Sequence, residues 1–420
     1  MKALAFVTIL WTLPFCLSAQ KNVLVNLLEQ HPDRFGKVMA NPDKYRVQII
    51  YTQIDRDAQN RPTFNSYTYR VDPDAYFYPA STVKMPGALL ALEKINKLQV
   101  IGLDRDAVMI HGAATAPQTI ADKDSTSPSG LPTLSHYIRK LFIVSDNDAF
   151  NRIYEYLGQE YLTRRLWEKG YHSARITHRL AAPDYNPEAN RYTNPVSYYH
   201  LTPEGKKGDL LYHQGEVYSK VPTTKSLHGE KLGNGYINGA GELVNEPFDF
   251  SWRNFIALQD LHDMVKAIMF PNDVPKEQSF RLSDSDRKFV WQCMSELPRE
   301  STYPHYPEKD YPDGYVKFFM FGDTKERIPD HIRIFNKVGN AYGFLNDAAY
   351  IVDFKNGVEF LLAATIHINE NQIFNDGIYE YETIGYPFLA QLGRTIYAHE
   401  LKRTRKNPPD LSVFPQKAKN

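Results

Sequence analysis

Phe77-Tyr78-Pro79-Ala80-Ser81-Thr82-Val83-Lys84 is a small apolar turn that runs straight into a strongly apolar helical pattern. Beyond Pro79, residues Val83, Leu89, Leu90, Leu92 and Ile95 share one broad face at helical spacing. With Ser81 opening that helix, Lys84 lies one turn on and on the same face, where its amine reaches the hydroxyl. A serine hydroxyl is a poor nucleophile until a base takes its proton. A buried lysine near another cation loses enough basicity to serve as that base at neutral pH. The helix start also supplies backbone amides that stabilise developing negative charge.

A serine three residues before a lysine is a common accident. Ser18-Ala19-Gln20-Lys21 and Ser285-Asp286-Arg287-Lys288 repeat the spacing. The first straddles a cleavage site and the second starts a polar helix, so only the Ser81 setting is apolar enough for a site. Two further strings follow it. Ser145-Asp146-Asn147 comes after a helical pattern from Thr133 through Leu134, Tyr137, Leu141 and Ile143. Lys337-Val338-Gly339 closes the strand pattern Ile332 to Lys337. Beside an activated Ser81, Ser145 passes a proton to the leaving group, and the Asn147 amide binds a substrate carbonyl and the Lys84 amine. Lys337 keeps Ser145 in a positive field and attracts a substrate carboxylate. Gly339 lets backbone approach the substrate closely. The Asn340 amide then pairs with that of Ser81 as an oxyanion hole.

The rest of the chain frames these strings. Val23 to Gln30 reads as a short helix, Tyr45 to Asp55 as a strand, 57–62 as a turn and Thr63 to Arg70 as the antiparallel partner. Phe150 to Leu157, Tyr161 to Lys169, Leu258 to Phe270 and Asp284 to Leu297 read as helices. Residues 171–252 are rich in Pro, Gly, Asn and Tyr, too long for a bare loop, and are expected to hold hairpins. Asp347 to Phe354 and Val358 to His367 are strands joined at Lys355-Asn356-Gly357, and Tyr379 to Leu401 is a long terminal helix. The expected architecture is α+β. The terminal strands form one antiparallel sheet flanked by terminal helices, a central all-helical lobe spans about 85–330, and the site lies in the cleft between them.

Composition limits the partners. The chain has 420 residues, 42% of them hydrophobic and 23% charged, with 49 basic residues matched by 49 acidic ones. No basic field points to nucleic acid. Residues 1–19 read as a secretory signal, with Lys2, an apolar stretch and Leu17-Ser18-Ala19 before Gln20. The exported chain then has no membrane span, and only Cys293 remains of the two cysteines, so no internal disulfide forms. No His-x-His-x-Asp, His-Glu-x-x-His or Gly-x-Ser-x-Gly string is present, so neither a zinc hydrolase nor a nucleophile-elbow hydrolase is indicated. No cofactor or metal is expected, and isolated histidines such as His367 read as structural.

Together the strings resemble the active-site set of the class A-like serine β-lactamases and penicillin-recognising serine hydrolases, S-x-x-K, S-D-N and K-T-G. The resemblance covers nearly the whole mature chain, including the hairpin before Ser81 and the strand–strand–helix after Lys337. It implies a β-lactamase/transpeptidase-like fold and an acyl-enzyme on Ser81, with Lys84 its proton partner. Two positions depart from that pattern. Val338 stands where the family has a threonine or serine hydroxyl for the substrate carboxylate. The stretch Arg179-Leu180-Ala181-Ala182-Pro183-Asp184-Tyr185-Asn186 resembles the loop whose glutamate activates the deacylating water. Aligned on Arg179-Leu180 that position falls on Asp184, aligned on Pro183 and Asn186 on Ala182, and Glu188 is a third candidate. Segments 197–252 and 298–330 are extra length. The resemblance therefore implies an exported, periplasmic or extracellular serine hydrolase acting on a small-molecule substrate, a β-lactam or muropeptide-like amide. The alternatives are a D-Ala-D-Ala peptidase, another amide or ester hydrolase, or an idle cell-wall-binding protein of the same fold.

Overall fold

A computed structural model describes residues 22–222 and 226–415. The expected signal segment and Cys16 lie outside the described residues. The organising element is a five-stranded antiparallel sheet in the order Ile332–Ala341, Phe344–Asp353, Val358–His367, Gln48–Arg56, Pro62–Tyr69. Val358–His367 carries the unbroken apolar run Phe360 to Ala364 because both of its faces are covered. Phe360, Leu362, Ala364 and Ile366 pack towards the terminal helices Val23–Glu29, Pro32–Met39 and Tyr386–Lys402. Leu361 and Ala363 point into the larger core shared with Lys84–Leu98 and Leu258–Met269. The alternation of a strand thus assigns its side chains to two cores. The expected sheet flanked by terminal helices, with helices Leu134–Ile143, Asn147–Leu157, Gln159–Glu168 and Asp284–Ser295 in the second lobe, is what the chain forms.

Local chemistry sets the element ends that matter. The Thr133 hydroxyl caps Leu134–Ile143 by accepting from the His136 amide. The Asp146 carboxylate caps Asn147–Leu157 by accepting from Ala149 N at 2.8 Å. Asp353 accepts from the amides of Lys355 and Asn356, and Gly357 takes φ +60, which closes the expected tight turn.

Two sequence expectations need correction. Lys337 does not end its strand, which runs on to Ala341 and pairs residue by residue with Phe344–Asp353. Tyr342 and Gly343, with φ of +55 and +79, make the actual turn. The second strand accordingly begins at Phe344, three residues before Asp347. The second lobe also carries strands: Val108–His111 pairs with Val196–Leu201, which pairs in turn with Lys207–Gln214. Hairpins were expected in 171–252, but the strand at 108 was not. Among the described residues no helix is long and apolar enough to cross a membrane.

Candidate active site

Ser81 sits in a 3-10 turn, Ala80–Val83, that feeds directly into the helix Lys84–Leu98. Pro79 and the helix fix the two ends, and Ala80 between them is held at φ +47. Left-handed backbone at a residue with a Cβ is strained, and such strain persists only where the surroundings over-determine it. Two contacts do so here. Thr82 returns both its amide and its hydroxyl to Pro79 O, at 3.1 and 2.8 Å. Asn346 Nδ2, from the sheet, donates to Tyr78 O at 3.0 Å.

Gly339 explains how the strand comes so close. A Cβ there would lie 2.4 Å from Pro79 O and 2.8 Å from Ser81 N. Any side chain would push the sheet edge away from the Ser81 turn, so the close approach expected of this glycine is a steric requirement.

Lys84 is fully buried. Its Nζ donates to Ser145 O at 2.5 Å and Asn147 Oδ1 at 2.7 Å, and lies 3.2 Å from Ser145 Oγ. Ser145 is itself left-handed, at φ +58, which turns its carbonyl towards the amine. From the opposite side Lys337 Nζ lies 2.9 Å from Ser145 Oγ and 3.0 Å from Val338 O. Burial lowers the Lys84 amine to about 7, with the Asp146 charge opposing the fall. Lys337 is pulled well below the usual lysine range, first by burial and then by the charge of Lys84, against the opposing pull of Asp347. Burial thus lowers both amines, and Lys84, at about 7, can give and take a proton near neutral pH.

A cavity of about 620 Å³ opens in front of this pair. Ser81, Ser145, Asn147 and Asn340 all line it, while Lys84 and Lys337 stand behind the hydroxyls. Three separate parts of the chain therefore bring seven of the eight expected site residues to one place. Asn340 is exposed at the rim, its Nδ2 3.4 Å from Tyr386 OH.

Asp184 is the eighth, and it is not brought in. The loop that holds it is pinned at its base. Arg179 Nε donates to Glu155 at 2.9 Å, its guanidinium stacks 3.9 Å from the Tyr185 ring centre, and Leu180 exchanges two backbone bonds with the Asn151 amide. Leu180 and Ala181, the latter at φ +50, then face the cavity. Asp184 and Glu188 are both exposed and neither lines the cavity.

Sequence reading missed the opposite wall. Tyr315, Val316 and Phe318, from the 298–330 segment, and Tyr386, from the last helix, line the cavity beside Val338. Phe318 and Tyr386 meet edge to face at 5.0 Å. The Tyr- and Phe-rich composition of 303–321 was the available signal. His367, expected to be structural, is buried between Phe344 and Phe374 and lowered by burial to about 3.

Among solved structures, a beta lactamase from Burkholderia vietnamiensis is 14% identical with a TM-score of 0.46, covering 91% of this chain and 98% of its own. PBP-A is 15% identical with a TM-score of 0.45, covering 90% and 96%. A class A beta-lactamase from Clostridium kluyveri is 13% identical with a TM-score of 0.45, covering 88% and 98%. Comparison with curated proteins finds no match. Residues 34–206 match the model of a family described as the Beta-lactamase enzyme family. The chain thus resembles that family across the segment that carries Ser81, Lys84, Ser145 and Asn147.

Proposed function

We propose that the protein is an exported serine hydrolase that forms an acyl-enzyme on Ser81 with small amides, cyclic β-lactam-like amides among them. The observation that carries this is the bonding of Lys84. A neutral amine has two N–H groups and one lone pair. Ser145 O and Asn147 Oδ1 accept its two protons, at 2.5 and 2.7 Å, which leaves the lone pair for the hydroxyls of the site, with Ser145 Oγ the one 3.2 Å away. With the amine lowered to about 7, that lone pair is available at neutral pH.

In the resulting sequence Lys84 takes the Ser81 proton as Oγ attacks the carbonyl carbon. The amides of Ser81 and Asn340 hold the oxyanion. Ser145 then delivers a proton to the leaving nitrogen and is resupplied from Lys337. Asn147 and Gly339 line the substrate, and the acyl group remains on Ser81 as the amine departs. Segments 197–252 and 298–330 are insertions in this catalytic unit, and the second of them supplies Tyr315, Val316 and Phe318 to the cavity wall.

Slow release of the acyl group, as in a penicillin-binding peptidase, is the reading that the loop favours over rapid β-lactam turnover. Leu180 and Ala181 present no carboxylate to a water beside the ester, and Asp184 is exposed. The test exposes the mature protein and Ser81→Ala to a chromogenic cephalosporin and a fluorescent penicillin. A persistent label on the wild type alone, with little colour change, is expected. Rapid colour turnover replaces slow release with lactamase activity. No label and no turnover, with wild type matching the variant, rejects the lactam-reactive reading.

A further inference from the structure

Two amines converge on one hydroxyl, Lys84 at 3.2 Å and Lys337 at 2.9 Å from Ser145 Oγ. Out of water and this close, they do not both keep a proton near neutral pH. Acylation needs the shared proton on Lys337, because only a neutral Lys84 accepts the proton of Ser81. Among the described residues no carboxylate hydrogen-bonds either amine. Each has one carboxylate whose charge favours its protonated form without a hydrogen bond, Asp146 for Lys84 and Asp347 for Lys337.

Asp347 occupies an unusual place for a charge. It pairs across the strands with Val338, next to Lys337, and so faces the terminal-helix side of the sheet while Lys337 faces the cavity side. It is 1% exposed. Its oxygens accept from Asn336 Nδ2 at 2.8 Å and from Phe319 N at 3.3 Å. Lys317, in the 298–330 segment, donates to Asn336 Oδ1 at 2.8 Å and Met294 O at 2.6 Å, so Asn336 bridges the two. A buried carboxylate is destabilising unless its surroundings compensate, and an apolar residue would fill a sheet core at less cost.

We propose that Asp347 is a positioning residue: it draws the shared proton onto Lys337 and leaves Lys84 free as the base. The catalytic part of this rests on the Ser81 acyl-enzyme reading. The charges facing Lys337 are Lys84, Asp347 and Lys317, and those facing Lys317 are Asp347, Arg333, Glu300 and Glu296. Lys317 opposes Asp347 while protonated. Burial lowers Lys317 to about 7 and raises Asp347 to about 6, so the pull on Lys337 strengthens as pH rises through neutrality.

The test follows the two amines directly, by NMR titration of the full chain carrying ¹³Cε-labelled lysine. The two signals are assigned by their loss in Lys84→Met and Lys337→Met. In Asp347→Asn the Lys84 midpoint should move to higher pH and that of Lys337 to lower pH. Asp146→Asn, which keeps an oxygen for the helix cap, should move the Lys84 midpoint the other way. The rate of labelling by a fluorescent penicillin should follow: its acid limb shifts up in Asp347→Asn and down in Asp146→Asn, about tenfold in rate for each pH unit on that limb. Unmoved midpoints in an Asp347→Asn chain with unchanged circular dichroism overturn the proposal. Should that variant not fold, Lys317→Met must lower the Lys84 midpoint, and an unmoved midpoint there overturns it equally. A wild type that takes no label defeats the Ser81 reading, and the titration still decides the role of Asp347.

Discussion

The two walls that flank Ser81 are each held by side-chain hydrogen bonds, to opposite chemical effect. On the Ser145 side, every fixed contact aims a polar group inward: Ser145 O, Asn147 Oδ1 and the two lysine amines all converge. The 179–190 side is hydrogen-bonded too. Arg179 is bonded to Glu155 and Asn190 Nδ2 donates to Tyr185 O and Asn186 O, yet they aim Leu180 and Ala181 inward and leave Asp184 outside. Order alone therefore does not make half of an active site. What matters is which atoms the order presents, and here the Ser145 side presents amines and hydroxyls while the 179–190 side presents no carboxylate.

The comparison breaks most visibly at Lys84. Lys84→Met should lower the labelling rate by about 10²–10⁴-fold, the usual worth of a positioned base, with secondary structure intact by circular dichroism. A change of less than about threefold would mean that another group activates Ser81. Next in size is a gain. Ala181→Glu sets a carboxylate into the loop wall and should raise the rate of label loss by about tenfold while leaving label gain near the wild-type rate.

Stability offers a subtler check, with a definite sign. Lys84 and Lys317 are lowered by burial to about 7, so between there and the ordinary lysine value they are neutral when folded and charged when unfolded. The unfolded chain then binds more protons, and stability rises with pH through that window, by up to about 1.4 kcal/mol per unit for each lysine. Asp347, raised by burial to about 6, has the opposite slope between the ordinary carboxylate value and about 6: the folded chain holds the extra proton and stability falls as pH rises. Thermal melts from about pH 5 to 9 should show the rise above neutrality, and Lys84→Met should flatten it. The smallest effect is expected at Asp184→Asn. Label loss should stay within about twofold of wild type, and a trapped adduct would instead assign deacylation to that loop.

How much of this was visible in the chain follows from how local each signal is. The Ser81 turn and its helix were legible because Pro79, an apolar 3.6-residue period and Lys84 lie within a few residues of one another. The strand Val358–His367 was legible because burial on both faces leaves a continuous apolar run. The reach of the strand holding Lys337 was not, because Gly339-Asn340 looks like a turn and is extended only by pairing with Leu345 and Asn346. The direction of Asp184 was hidden for a similar reason. It depends on Glu155 and Asn151 gripping Arg179 and Leu180, from a helix more than twenty residues earlier. Lys317, Asn336 and Asp347 meet only through the register that sets Val338 opposite Asp347, which no spacing in the chain announces.

On the proposed reading Ser81 is acylated quickly and released slowly. Time-resolved intact-mass measurement after mixing with benzylpenicillin tests it most directly. The wild type should gain one drug mass, mapped by peptide digestion to Ser81, persisting long after free drug is removed and absent from Ser81→Ala. A wild-type mass that never changes in the absence of turnover, or an adduct that forms equally on Ser81→Ala, would contradict it.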